Sequence, residues 1–443
     1  MPLSTPPARP TRRPLGRLSR RTVVALAAAG CVAPLAVAAP SSGAVRPAAA
    51  TTVRTTALAT TYQPTSADRR IAQRLGSRAT TRNFGRYFSG TVVDVASGRV
   101  VWARNGGTGR MPASTAKLVT ATNALTVFGP AYQFMTTVRR ATSDPRTVTL
   151  VGVGDPSLSS ADLQALARQT AADSRARGLS WVRVRFDDYR FARPTLASGW
   201  KSSYVPTDVR WVRALVVDGH HVSDTSRDAA QVFARYLAVE GVKVSSVYRS
   251  KAVAPAPVIA SVKGDRLDAI VRQMLLVSDN DHAEALHRMV ARAVGQHGTW
   301  TGARIAQRAV LAREGILLPS TAMKDGSGLS RSDRLTTTQL ARVVANAFEP
   351  GQDDLAVLRT GALPVAGRTG TLKHRFAAPP VRCAIGKVAA KTGSLSDASS
   401  LAGYTVGKDG RLKAFAFIVN HRRVDSLLRR NLDALAATVN GCY

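Results

Sequence analysis

Apolar residues recur at helical spacing in several stretches of the chain after residue 65. Between residues 114 and 128 they form one face of a helix, with Pro112 just before the stretch and Gly129-Pro130 at its end, which are ordinary start and stop signals. The same spacing predicts further helices over residues 67–75, 161–172, 266–277, 283–294, 337–348 and 424–439.

Strand-like patterns lie at both ends of this region. Apolar or alternating runs over 88–95 and 100–104 flank Ser97-Gly98, which predicts a hairpin. Three more strands are predicted near the C-terminus, at 384–392, 401–406 and 412–419, the last two joined by a turn at 407–410. We therefore expect an α+β fold in which about five strands from both ends of the chain form one antiparallel sheet flanked by helices.

Residues 141–264 differ from the rest of the chain in character. Short strand-like runs at 148–153, 181–186 and 216–217 mix with a single helical stretch and many turn signals. This pattern predicts a smaller α+β domain inserted into a larger one, whose two parts comprise residues 66–140 and 265–443.

The N-terminus has the layout of a secretory signal peptide. Residues 1–21 contain six arginines and no acidic residue, an apolar stretch follows, and Ala36-Val37-Ala38 supplies a small-x-small cleavage pattern. We expect residues 1–38 to be removed on export, which leaves 39–65, rich in Ala, Thr, Pro and Ser, as a flexible linker. An uncleaved membrane anchor is the alternative, although the apolar stretch is short and interrupted by a proline.

The charge balance narrows the class of partner. The chain has 443 residues, with 62 Lys+Arg against 28 Asp+Glu and a formal net charge of +34. Such an excess accompanies contact with nucleic acid, anionic polymers or anionic membranes, but an arginine-rich genome would also produce it. Export would lower the charge to about +28 and take the chain away from cytoplasmic nucleic acid. The expected contact is therefore a peripheral one with an anionic cell wall or membrane, and no nucleic-acid partner is expected.

The cysteines are consistent with export. Cys31 lies within the predicted signal peptide, so Cys383 and Cys442 would remain in the mature chain. An even number of cysteines in an oxidising compartment favours a disulfide, here one that would tie the C-terminus to the body. Two free buried thiols are the alternative.

The first stretch that carries chemistry is Ser114-Thr115-Ala116-Lys117. Residues three apart share one face of a helix, so the Ser114 hydroxyl and the Lys117 amine would project together. A serine needs a base to become a nucleophile, and a lysine can be that base only if burial or positive charge lowers its pKa. Alone, the motif is equally consistent with a helix start that carries a solvated lysine.

Two further motifs lie in the second half of the chain. Ser278-Asp279-Asn280 separates two predicted helices, where a hydroxyl and an amide could relay protons and orient a substrate amide. Lys391-Thr392-Gly393 ends a predicted strand, where Lys391 and Thr392 could bind a carboxylate and Gly393 would let a substrate backbone approach. Each of the two could also be an ordinary turn.

The three motifs in this order resemble the penicillin-recognising serine enzymes. The chain is most similar to the D-alanyl-D-alanine carboxypeptidase/endopeptidase family, the low-molecular-mass class C penicillin-binding proteins. The resemblance covers about residues 66–443 and implies a β-lactamase/transpeptidase-like domain with an inserted smaller domain. It rests on the three motifs with their flanking residues, and on the stretches 152–158, 325–330 and 370–372.

The resemblance also implies a role for each motif residue. Ser114 would attack the carbonyl of the penultimate D-Ala, neutral Lys117 would accept its proton, and the backbone N–H groups of Ser114 and Ser394 would form the oxyanion hole. Ser278, with Lys391 nearby, would pass a proton to the leaving D-Ala.

The remaining motif residues would hold the substrate. Asn280 would bind the substrate amide, and Lys391 and Thr392 would bind the terminal carboxylate beside Gly393. The implied partners are peptidoglycan stem peptides as substrates and β-lactam antibiotics as covalent inhibitors, with no cofactor. The insert is shorter than in many members of the family, which leaves carboxypeptidase and endopeptidase action both open.

Other functions remain as alternatives. A serine β-lactamase would share the motifs, but the chain has no clear equivalent of a deacylating glutamate. A basic wall-binding protein without catalytic activity would use only the charge. His282 and His287 are five residues apart, so they diverge on a helix and no metal site is expected.

Overall fold

The computed structural model describes residues 63–253, 256–319 and 322–443. The predicted signal peptide at 1–38 and nearly all of the predicted linker at 39–65 lie outside the described residues. Within the described part of the chain, no helix is both long and apolar enough to cross a membrane.

The first sheet contains five antiparallel strands from both ends of the chain, in the order β2-β1-β10-β9-β8. This confirms the predicted α+β fold. The bounds of its strands are β1 Phe88–Asp94, β2 Val100–Arg104, β8 Val388–Ser394, β9 Ala398–Val406 and β10 Leu412–Asn420.

Helices pack on both faces of the first sheet, and α4 and α5 pack against the second sheet. Their bounds are α1 Ser66–Arg78, α2 Thr81–Phe84, α3 Lys117–Phe128, α4 Ser160–Ala176, α5 Thr225–Val239, α6 Leu267–Val277, α7 Asn280–Ala293, α8 Trp300–Arg313, α9 Thr337–Asn346, α10 Ala356–Arg359 and α11 Ser426–Asn440.

Strand β10 separates two layers of helices because successive side chains point to opposite faces of a sheet. Ala414, Ala416 and Ile418 face a core that includes α3, α6, α7, α8 and α9. Phe415 and Phe417 face a second core formed with α1 and α11. Burial on both faces explains why the sequence of β10 is a continuous apolar run instead of an alternating one.

The second sheet has the order β6-β5-β4-β3-β7, with β4, β5 and β6 parallel to one another. Helices α4 and α5 pack against it. It begins before residue 141, where the sequence pattern placed the insert, because β3 pairs with both β4 and β7. The bounds of its strands are β3 Gln133–Arg140, β4 Thr147–Val151, β5 Trp181–Asp187, β6 Lys243–Arg249 and β7 Val258–Arg266.

Part of the predicted insert does not pack with the second sheet. Phe191, Trp200, Val209 and Val212 are buried in the same core as α6 and α7. The strand expected at 216–217 is absent, and this stretch is instead part of the loop before α5. Residues 204–212 therefore lie next to the elements that carry the Ser278-Asp279-Asn280 motif.

Candidate active site

Ser114 lies in a tight turn at the start of α3. Residues Ala113–Ala116 form a 3₁₀ turn, and the regular helix begins only at Lys117. The hydroxyls of Thr115 and Ser400 both donate to the Pro112 carbonyl, at 2.6 Å each, so the turn is fixed to β9. The partly exposed Ser114 is thus held on a rigid support at one end of the sheet.

Lys117 is completely buried beside the serine. Its Nζ lies 3.1 Å from Ser114 Oγ, 2.7 Å from Asn280 Oδ1 and 2.9 Å from the Ser327 carbonyl oxygen. Burial lowers the pKa of Lys117 to about 8, although carboxylates such as Glu284 act against this shift. Part of the Lys117 population is therefore neutral near neutral pH. An amine must be neutral to accept a proton as a general base.

A second buried amine lies on the other side of the site. Lys391 Nζ donates to Ser278 Oγ at 2.9 Å and to the Thr392 carbonyl at 2.8 Å. Burial first, and then the positive charge of Lys117, hold the pKa of Lys391 well below its ordinary value. Ser278 has φ +67°, a left-handed conformation that ends α6. The motif residues Ser278 and Lys391 thus form a hydroxyl–amine pair like that of Ser114 and Lys117.

Asn280 connects the base to the chain before α5. Its Oδ1 accepts a hydrogen bond from Lys117, and its Nδ2 donates to the Asp208 carbonyl at 2.7 Å. Asp279 accepts from the backbone N–H of His282 and so caps α7. The sequence predicted Asn280 as a ligand for the substrate amide, whereas here both ends of its side chain contact the protein.

The end of β8 packs directly on the nucleophile turn. A Cβ added at Gly393 would lie 2.1 Å from Ser400 Oγ and 3.0 Å from the Ser114 nitrogen, so only glycine fits. Thr392 Oγ1 lies 2.8 Å from Thr371 Oγ1, and Ser394 is exposed. Because β8 is an edge strand, its end can pair with an extended peptide.

A buried turn behind Lys117 was not expected from the sequence. Glu284 accepts hydrogen bonds from the backbone N–H groups of Gly326 and Ser327, and Asp325 accepts from Gly328 and from the Trp200 indole. Burial and the neighbouring Asp325 raise the pKa of Glu284 to about 8. These contacts fix the Ser327 carbonyl, which the lysine needs as a partner.

Five of the eight predicted site residues form two hydrogen-bonded groups near the end of β8. Ser114, Lys117 and Asn280 share one hydrogen-bonded network, and Ser278 with Lys391 forms the second. Thr392, Gly393 and Ser394 border the turn that carries Ser114. The site thus contains two hydroxyls, each beside a buried amine, next to the end of an edge strand, and this arrangement could support acyl transfer.

The histidines take no part in this arrangement. His282 pairs with Asp279, while burial lowers the pKa of His287 to about 3 and keeps it neutral. No cluster of three or more potential metal-ligating side chains is found among the residues that the structure describes.

Known proteins share both the sequence pattern and the fold. The carboxypeptidase DacB of Mycolicibacterium smegmatis is 32% identical over 399 residues, which cover 86% of this chain and 85% of the relative. A carboxypeptidase of Mycobacterium tuberculosis is 32% identical over 372 residues, which cover 80% of each protein. Penicillin-binding protein 4 (dacB) of Haemophilus influenzae has a crystal structure that matches with a TM-score of 0.70 and 20% identity, over 81% of this chain and 98% of that one.

The family model agrees with these relatives. The model of the D-Ala-D-Ala carboxypeptidase 3 (S13) family matches residues 71–219 and 212–439, and so includes all three motifs. The resemblance inferred from those motifs is confirmed, and this chain belongs to the D-Ala-D-Ala carboxypeptidase 3 (S13) family.

Proposed function

We propose that this chain is an exported serine D-Ala-D-Ala carboxypeptidase that acts on peptidoglycan stem peptides through an acyl-serine intermediate. The observation that carries the proposal is the buried Lys117 amine, 3.1 Å from Ser114 Oγ and with a pKa lowered to about 8. A serine next to such an amine is activated without a histidine or a metal.

The first half of the proposed reaction is acylation. Neutral Lys117 takes the proton as Ser114 Oγ attacks the carbonyl of the penultimate D-Ala. The backbone N–H groups of Ser114 and Ser394 then hold the oxyanion, and losing one such donor typically lowers the rate by about 10²–10³. The close packing of Gly393 against Ser114 supports this oxyanion hole, because it places the turn that carries Ser114 beside the end of β8 that carries Ser394.

The second half releases the products. The Ser278 hydroxyl, hydrogen-bonded to Lys391, passes a proton to the nitrogen of the leaving D-Ala and takes up in its place the proton that Lys117 accepted from Ser114. Lys391 and Thr392 hold the terminal carboxylate, and water then hydrolyses the acyl-enzyme. Asn280 keeps Lys117 in place and directs its remaining N–H toward the substrate amide.

Substrate binding would use the edge of β8 beyond Ala390, because residues 364–366 already pair with the first part of this strand. A peptide that ends in a carboxylate can pair with the strand while its terminus meets Lys391 and Thr392. Cleavage of cross-linked peptides, an endopeptidase action, uses the same chemistry with a longer leaving group. In β-lactams the reactive carbonyl group and a carboxylate are placed as they are in the peptide substrate, so β-lactams would acylate Ser114.

Two features support action outside the cytoplasm. The signal-like segment 1–38 predicts export, and Cys383 and Cys442 are joined by a disulfide, which persists in oxidising compartments. The positive charge would favour peripheral contact with anionic cell-wall polymers.

The direct test is release of D-alanine from a stem peptide that ends in D-Ala-D-Ala. We expect release by the wild type, none by Ser114→Ala, and none from a matched peptide that ends in D-Ala-L-Ala. Equal release by Ser114→Ala would overturn the proposal. Sustained rapid turnover of nitrocefin without D-alanine release would indicate a serine β-lactamase instead.

A further inference from the structure

The segment 204–212, which lies outside the three motifs, contacts the active site. The Asp208 carbonyl accepts a hydrogen bond from Asn280 Nδ2 at 2.7 Å. Because a carbonyl can only accept, it fixes which end of the amide faces it. Asn280 Oδ1 must then point the other way, and it meets Lys117 Nζ at 2.7 Å.

Arg210 fastens the same segment to the start of α7. Its backbone N–H donates to Asp281 Oδ1 at 2.7 Å, and its Nε lies 3.1 Å from Asp281 Oδ2. The side chain of Arg210 is 4% exposed and that of Asp281 is 16% exposed. This ion pair has little solvent around it, so removal of one partner leaves the other charge unpaired and largely buried.

The segment itself is well anchored. The backbone N–H groups of Asp208 and Val209 both donate to the Tyr204 carbonyl, at 2.7 and 3.1 Å. Val209 is fully buried in the core that contains α6 and α7. The Asp208 carbonyl is therefore a fixed group, and Arg210 sets its position relative to α7.

We propose that Arg210 is a positioning residue of the active site. By joining residues 208–210 to Asp281, it holds the Asp208 carbonyl against Asn280, and Asn280 in turn holds Lys117 beside Ser114. This inference rests on the proposed function, since it assumes that Lys117 is the base for Ser114. Arg210 contacts no reacting atom, so its effect should fall on the rate of acylation and not on ligand binding.

Arg213 provides a matched control. It lies in the same segment and pairs with Asp188 at 3.3 Å and with Asp224 at 3.4 Å. Both of these aspartates belong to the part of the chain around the second sheet. Substitution of Arg213 therefore breaks a comparable partly buried ion pair without disturbing Asn280.

The experiment measures acylation by a fluorescent penicillin in wild type, Arg210→Met, Arg210→Lys and Arg213→Met, with thermal unfolding of each. Displacement of a reacting group by about 1 Å can lower a rate by about 10². We therefore expect Arg210→Met to slow the saturated acylation rate about tenfold or more, with the apparent dissociation constant little changed. Arg210→Lys should recover part of the rate, and Arg213→Met should stay near wild type.

A second variant keeps the test valid if Arg210→Met does not fold. Asp281→Asn retains the shape of the side chain and removes the charge that pairs with Arg210. At pH 9, where Lys117 is largely neutral, it should therefore slow the same step. In the double variant the two effects should not add, because both break one contact. Equal acylation rates in wild type, Arg210→Met and Asp281→Asn would overturn the inference, whereas a wild type that penicillin does not acylate would overturn the proposed function.

Discussion

At the scale of single residues, the site depends on two lysines that are completely buried. Lys117 and Lys391 each contact a serine hydroxyl at about 3 Å and are each surrounded by protein. Desolvation disfavours the charged forms of both lysines, and the positive charge of Lys117 lowers the pKa of Lys391 further. The lowered pKa of Lys117, on which the proposed base role depends, is therefore a consequence of where the fold places this lysine.

The titration of Lys117 predicts the pH dependence of acylation. The base is active when it is neutral, and its pKa is lowered to about 8. Below that pH the fraction of neutral amine, and with it the acylation rate, should fall about tenfold per pH unit. Above it the rate should level off. Stopped-flow acylation by penicillin between pH 6 and 9 measures this, and a rate that does not change over the range would contradict the assignment of Lys117.

At the scale of elements, the site is assembled where the end of β8 meets the turn before α3. Gly393 lies so close to Ser400 and to the Ser114 backbone that no Cβ can be accommodated. Ser114 and the end of β8 therefore share one close contact.

The substitution Gly393→Ala tests whether this contact matters for acylation as well as for stability. The new methyl would push β8 away from Ser114, so we expect penicillin acylation to fall by about tenfold or more. Gly107→Ala is the control, because a Cβ at Gly107 meets nothing within 4 Å. If Gly393→Ala is acylated as fast as Gly107→Ala, the close packing has no role in catalysis.

A comparison of the individual helices and strands shows how much of the fold the sequence could predict. Helices α6 and α7 were predicted because their apolar periodicity is strong. Helix α3 is buried on nearly every side, and its start and stop signals, Pro112 and Gly129-Pro130, supported its prediction. The first hairpin was predicted from apolar runs on either side of Ser97-Gly98. Strand β6 (Lys243–Arg249) was missed because it is largely exposed or half-buried and lacks clear alternation. Helices α5 and α8 were also missed.

The sequence also predicted some parts of the candidate site and missed others. The sequence singled out the motif side chains because their types and spacing carry a signal, and their catalytic roles stay a prediction. The partners contributed by Asp208 and Ser327 are backbone carbonyls, which every residue has. Residue type therefore cannot reveal them, and only the fold brings them to Asn280 and Lys117.

At the scale of the whole molecule, buried ion pairs join α1 to the first sheet. Lys413 of β10 lies between Asp68 of α1 at 2.7 Å and Asp94 of β1 at 2.8 Å, and all three side chains are buried. The two carboxylates raise the pKa of Lys413 against the effect of burial. Lys413 therefore stays charged and joins α1 to the first sheet.

Removal of this lysine should destabilise the molecule. Lys413→Met leaves buried carboxylates with one cation fewer, and breaking such pairs costs about 3–5 kcal/mol. Urea unfolding gives the value, with the exposed Lys408→Met as a control that should change stability by less than about 0.5 kcal/mol. Equal stability of the two variants would show that the cluster contributes nothing.

The disulfide closes the C-terminal part of the chain. Cys383 precedes β8 and Cys442 follows α11, with 59 residues of separation. Because the bond restricts the unfolded chain, Cys383→Ser with Cys442→Ser should lower the free energy of unfolding by about 2–5 kcal/mol. The acylation rate of the folded variant should stay near that of the wild type, since neither sulfur belongs to the site. Unchanged urea unfolding would contradict a stabilising role.

The central claim is that Ser114 is the nucleophile of a serine peptidase, and intact-mass spectrometry after incubation with penicillin tests it most directly. The account predicts that the protein gains the mass of one penicillin, that peptide mapping places the adduct on Ser114, and that Ser114→Ala gains no mass. An adduct on another residue, or an equal adduct in Ser114→Ala, would contradict it.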